Sequence, residues 1–176
     1  MNTIVKAKSW KIFAVLLSGG FIHQFIDIKV FDNEINEVYS DISHTIYYLV
    51  ILSWILVTGI YLNGNLKPDR RVGTNIPVTT GLFLLITIAA ARFSWTINET
   101  FDFMQNNTWL MISYIVFSFV SLFIICGFTA KTIKLNETSN EINVNDYFGD
   151  IFKILIWPIG VWFIQPRINN IFRDNR

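Results

Sequence analysis

Four continuous apolar stretches divide the chain, roughly Lys11 to Ile28, Ile46 to Leu62, Ile76 to Ile97 and Trp109 to Ala130. None alternates apolar and polar residues with a period of two, so helices are expected rather than strands. Each is near the ~20 residues that a helix needs to cross a bilayer. Lipid admits only helices and closed barrels, because backbone groups there must pair internally. The expected fold class is an all-α integral membrane protein. A four-transmembrane-helix bundle, with spans at about 11–28, 46–62, 76–97 and 109–130, makes one membrane domain of residues 1–176.

A fifth run, Ile151 to Ile164, has a different pattern. It is only 14 residues long, holds Lys153, and has Pro158 and Gly160 at its centre. Runs of that length more often re-enter or lie in the interface than span. Proline removes a helical hydrogen bond and glycine loosens the backbone. A helix–break–helix that dips in and returns, or an amphipathic helix lying flat, is therefore expected over residues 147–172. Beyond Gln165-Pro166, the alternation of Ile168, Ile171 and Phe172 with Arg167 and Arg173 predicts a tail lying over anionic lipid.

The polar connections fix the orientation. Lys6, Lys8 and Lys11 precede the first run, Lys67, Arg70 and Arg71 lie between the second and third, and Lys131 and Lys134 follow the fourth. The other two connections, 29–45 and 98–108, hold only Lys29 between them. Eight cations against one place both termini on the cytoplasmic side, because Lys and Arg are retained there. A fifth span would carry Arg167, Arg173 and Arg176 to the wrong side. Turn chemistry at Asn63-Gly64-Asn65 and Lys67-Pro68-Asp69 predicts a tight inner loop. Residues 136–146 read as a polar, mobile stretch. The basic N-terminus resembles a signal peptide but shows no convincing cleavage site, so a retained first helix is expected.

Composition narrows the function classes. Only 15% of the 176 residues are charged and the net charge is +1. That leaves no bulk electrostatic case for nucleic acid. The aromatic share is 16%, and Trp10, Tyr47, Tyr48, Tyr61, Trp95 and Trp109 fall near span ends, as interfacial belts do. The single cysteine, Cys126, allows no intramolecular disulfide and no Cys-based metal or redox pair.

Ionisable residues inside spans are costly and need an explanation. His23 and Asp27 lie one turn apart on the first span. Arg92 lies on the third, with Glu99 two turns on, and His44 enters the second from the same side. At 1.5 Å per residue, Asp27 and Arg92 reach similar heights in the outer half. The candidate polar cluster is therefore His23, Asp27, His44, Arg92 and Glu99. It is either a small anion or proton site, or an Arg92–Asp27 pair that bolts two spans together. Haem ligation by His23 and His44 is disfavoured by their different depths, and no HExxH-like spacing supports a metal site. There is no G-x-S-x-G, Walker or G-x-G-x-x-G motif. No catalytic residue, cofactor or metal is expected. Ser113, Ser118 and Ser121, Ser53, Thr58 and Gly59, and Gly81 are small residues suited to close helix packing.

The segment WPIGVWFIQPRIN (157–169) resembles the C-terminal stretch of uncharacterised small bacterial multi-span membrane proteins. In architecture alone, the chain is similar to small membrane accessory proteins of bacterial antiviral defence systems. These resemblances imply a bacterial inner-membrane protein with an accessory role and transfer no site residue. The expectation is a non-enzymatic accessory or effector that oligomerises and alters membrane permeability. The alternative is a small transporter or channel using the outer His/Asp/Arg cluster. The expected partners are the lipid bilayer, further copies of the chain, and a cytoplasmic protein meeting the inner loops or tail; direct contact with nucleic acid is not expected.

Overall fold

The computed structural model describes residues 35–96 and 107–174, and among them every regular element is helical. The order is α1 (Ile35–Asn65), a short 3-10 turn (Pro68–Arg70), α2 (Asn75–Thr96), α3 (Thr108–Glu137), α4 (Val144–Leu155) and α5 (Trp157–Asp174). Two of these helices are long and apolar enough to cross a membrane: α1 over Thr45–Asn65, and α3. The first apolar run, 11–28, lies outside the described residues.

The helices outrun the apolar stretches. Residues 29–45 read as a connection, yet α1 is already helical from Ile35. The stretch Ile35–Thr45 holds no Gly or Pro, and Ile35, Val38, Tyr39 and Ile42 recur at helical spacing. Likewise α3 continues through Lys131 and Lys134 to Glu137. The stretch 136–146 therefore includes the end of one helix and the start of the next, with residues 138–143 between.

Three helices make the main bundle, and small residues set their spacing. A Cβ on Gly59 of α1 would lie 2.6 Å from Thr129 Oγ1 and 2.8 Å from the Phe128 ring of α3, so only glycine permits this approach. Thr129 Oγ1 then donates across the seam to the Ile55 carbonyl at 2.9 Å. Asn136 Nδ2 donates to the Leu62 carbonyl at 3.0 Å, a second tie between the same helices. Gly81 lets α2 meet Leu56 and Ile125. Of the other small residues, Thr58 and Ser121 are buried, whereas Ser53 and Ser113 are exposed.

The loop from α1 to α2 is tight, as its turn chemistry predicts. The Asn63 side chain both donates to and accepts from the Val72 backbone, each at 2.8 Å. Arg71 reaches back to the carbonyls of Leu66 and Gly64. Arg70 donates to the carbonyls of Thr138 (2.7 Å) and Asn140 (3.1 Å), tying this loop to the one after α3.

α4 and α5 form a helical hairpin against this bundle. One continuous apolar core runs through all five helices, with Leu62, Leu84, Ile133, Ile154 and Ile168 each contributing from a different one. The upper half of α3, Trp109 to Val120, is instead almost wholly exposed.

Candidate functional site: a hairpin and the pocket it closes

α4 begins beside the end of α3. The Asn143 N–H donates to Asp146 Oδ2 at 2.8 Å, closing a capping box that starts the helix. From there α4 runs back along α3, with Ile151 meeting α3 at Gly127 and Phe152 stacking on Phe123 at 6.2 Å. Twelve residues carry it ~18 Å. Its tip, Ile154 and Leu155, reaches the level of Leu122 on α3 and Ile51 on α1.

The break lies at Ile156, which leaves the helical region at φ −86°, ψ 56°, close to an inverse γ-turn. The sequence placed the break at Pro158 and Gly160. Both serve other ends. Pro158 is the second residue of α5, in the first turn where its missing N–H costs nothing. A Cβ on Gly160 would lie 1.6 Å from the Lys153 carbonyl oxygen, so Gly160 is the point of closest approach between the arms. α5 then returns, burying Val161, Ile164, Ile168 and Ile171. Phe172 stacks on Tyr61 of α1 at 5.1 Å. The tail is thus packed into the core through its apolar residues.

The arms are joined to α3 by charge. Arg167 of α5 grips Glu137, the last residue of α3, through two 2.6 Å hydrogen bonds, Nε to Oε1 and Nη2 to Oε2. Its Nη1 lies 2.7 Å from Asp150 Oδ1 on α4, and Lys153 Nζ lies 2.9 Å from the same oxygen. The Asp150 side chain is only 7% exposed. Burial alone would raise its pKa, but the Arg167 and Lys153 hydrogen bonds and charges outweigh that and hold it below the usual carboxylate range. The Glu137 hydrogen bonds, with further help from Asp150, push the Arg167 guanidinium above its ordinary value.

Beyond the hairpin tip is a pocket of about 210 Å3. It is lined by Tyr48, Ile51, Leu52 and Ile55 of α1, Leu84 and Ile88 of α2, Ser118 and Leu122 of α3, and Ile154 and Leu155 of the tip. Its wall holds no carboxylate, imidazole, amine or thiol. Ser118 Oγ is buried with no hydrogen-bond partner among the described residues. Such a pocket suits hydrocarbon, and its only polar groups among the described residues are the Tyr48 phenol and the Ser118 hydroxyl, with no base beside either in the wall. No group of three metal-ligating side chains occurs among the described residues.

Of the sequence-predicted cluster, His23, Asp27 and Glu99 lie outside the described residues. His44 and Arg92 have helical backbones on α1 and α2, but their side chains also fall outside the description. Each stands four residues, one turn, beyond a pocket-lining residue: His44 beyond Tyr48, and Arg92 beyond Ile88. The described charge cluster is a different one. Sequence reading placed Arg167 over lipid and missed Glu137 and Asp150 as its partners. The only local signal was the i, i+3 pair Asp150 and Lys153.

Comparison with protein-family models, with curated proteins and with solved structures finds no match for this chain.

Proposed function

We propose that the chain is a small inner-membrane protein acting without catalysis, as an accessory or effector that assembles with further copies and alters membrane permeability. The observation that carries the membrane reading is the distribution of exposed apolar side chains. Ile112, Ile115, Val116, Phe119 and Val120 of α3 face outward. So does a stripe on α4, Val144, Phe148 and Phe152, which Ile156 continues just past its end. Soluble monomers rarely carry so much contiguous apolar surface. Lys67, Arg70, Arg71, Lys131 and Lys134 gather toward the loop end of the bundle, the arrangement expected of a cytoplasmic face.

In this reading α1, α2, α3 and the run 11–28 are four spans with both termini inside. The α4–α5 hairpin is re-entrant, turning back near the bilayer midplane. The capped, tied loops are where a cytoplasmic partner would dock. The apolar pocket supports a non-catalytic role. The resemblance in architecture supports a place beside an antiviral system. Four spans are too few to enclose a wide pore, so permeation requires several copies. The test is expression of the full chain with a membrane-impermeant dye as reporter, alongside native mass spectrometry. Dye entry together with a defined oligomer supports the reading. A strict monomer that passes neither dye nor ions overturns it.

One observation favours a second reading, a small transporter or channel: His44 and Arg92 stand on the helices one turn beyond the pocket. Arg92→Leu would then abolish flux at normal abundance. Under the accessory reading it acts only through folding.

A further inference from the structure

The pocket beyond the hairpin tip is polar at one end only. Ile55, Leu84 and Ile154, all buried, make its floor. Its two hydroxyls stand toward the other end. On α1, Tyr48 lies two turns before Ile55, ~10 Å along the helix. On α3, Thr129 faces Ile55 and Asn136 faces Leu62. The same register carries Leu122 to the level of Tyr48, and Ser118 one turn further on.

Ser118 departs from the habit of the other helical hydroxyls. Thr79, Thr87 and Ser113 each donate to the carbonyl four residues earlier, at 2.7, 3.0 and 2.8 Å. A hydroxyl in an apolar helix satisfies itself readily in this way. Ser118 Oγ is buried in the pocket wall and makes neither that bond nor any other among the described residues. A hydroxyl so placed costs free energy, which a partner inside the pocket recovers.

We propose that the pocket binds one medium-length aliphatic molecule ending in a neutral oxygen, an alcohol or a carbonyl. Its hydrocarbon lies along Ile51, Leu52, Ile55 and Leu84, and its oxygen meets Ser118. The serine hydroxyl both donates and accepts, so it serves either oxygen. An apolar cavity of ~150 Å3 takes benzene, and in proportion a cavity of about 210 Å3 takes roughly eight carbons. A phospholipid, with two long tails, exceeds that volume. A charged head finds no described cation in the wall to replace its water. The site rests on the membrane reading above for its route of supply. A lipophile of this kind collects in the bilayer and enters sideways, past exposed Tyr48 and half-buried Ile88.

The test uses the full chain in lipid vesicles, with an octanol that carries a photoreactive diazirine and dissolves in the bilayer. Peptide mass spectrometry then locates the label. Leu122 and Leu155 in the wall are expected to carry severalfold more than Ile112 and Phe119, which face outward. Unlabelled octanol displaces the probe, and octane does so about tenfold less well, the difference that one buried hydrogen bond makes. Ser118→Ala erases that preference, whereas Ser113→Ala, whose hydroxyl serves its own backbone, preserves it. Equal displacement by octane and octanol overturns the proposal, as does a preference for octanol that survives Ser118→Ala. Equal labelling of Leu122 and Leu155 by a diazirine-bearing phosphatidylcholine also overturns it, in favour of a lipid tail. Recovery of the protein in the alkaline-carbonate supernatant fails the membrane reading itself. Label spread evenly over wall and outward residues, in protein that stays with the membrane, fails the site alone.

Discussion

Two seams meet on α3, and they are built from different materials. Along α1, contact depends on the absence of a side chain at Gly59 and on neutral hydrogen bonds from Thr129 and Asn136. Along the hairpin, contact depends on charge, with Glu137, Asp150, Lys153 and Arg167 in one network. The first seam has nothing to titrate and nothing for an anion to capture. The second carries Asp150, whose hold on its proton depends on the tie itself. Close packing is indifferent to pH, whereas a charged tie is not.

The largest effect is expected at the hairpin's own turn. Gly160→Ala drives a Cβ into the Lys153 carbonyl, so the arms must part; overpacking of this kind costs about 3 kcal/mol. Thermal unfolding in detergent would read it as a lowered midpoint, with the α1–α3 seam still protected from hydrogen exchange. Next, Asp150→Asn removes a nearly buried charge-assisted contact, with a loss of about 2 kcal/mol in the same measurement. The same residue gives the hairpin a pH dependence that the α1–α3 seam lacks. Asp150 binds its proton more weakly folded than unfolded. Its contribution is therefore complete above the unfolded value near ~4 and is lost as pH falls through the lower folded one. Unfolding midpoints measured from pH 6 down to pH 3 should fall for the native chain, and fall less for Asp150→Asn. Thr129→Val removes one neutral bond to Ile55 and should cost about 1 kcal/mol, with no change in pH dependence. Lys153→Gln is the mildest: half-exposed pairs contribute no more than about 0.5 kcal/mol, and its midpoint should barely move.

The apolar runs made the helical class and the positions of α1, α2 and α3 legible, because a continuous run of bilayer length has few other readings. Helix ends were harder. Hydrophobicity stops at Thr45 and Ala130, but helical backbone does not, since neither Ile35–Thr45 nor Lys131–Glu137 contains a breaker. The shortness of the fifth run left two readings, a broken helix or one lying flat; the helix is broken, and its turn was misplaced by two residues. Proline was read as a break, yet in the first turn of α5 it starts a helix, and Gly160 supplies space rather than flexibility. The charge network was not legible. Glu137, Asp150 and Arg167 are separated by 13 and 17 positions, and only the folded hairpin brings them together.

The capping box at Asn143 and Asp146 also bears on assembly. A start signal fixes where a helix begins but does not make twelve residues stable alone, since helices that short are marginal without packing. α4 therefore depends on what it lies against, α3 along one side and α5 along another. A chain ending after residue 155 would keep the cap and lose the arm that carries Arg167.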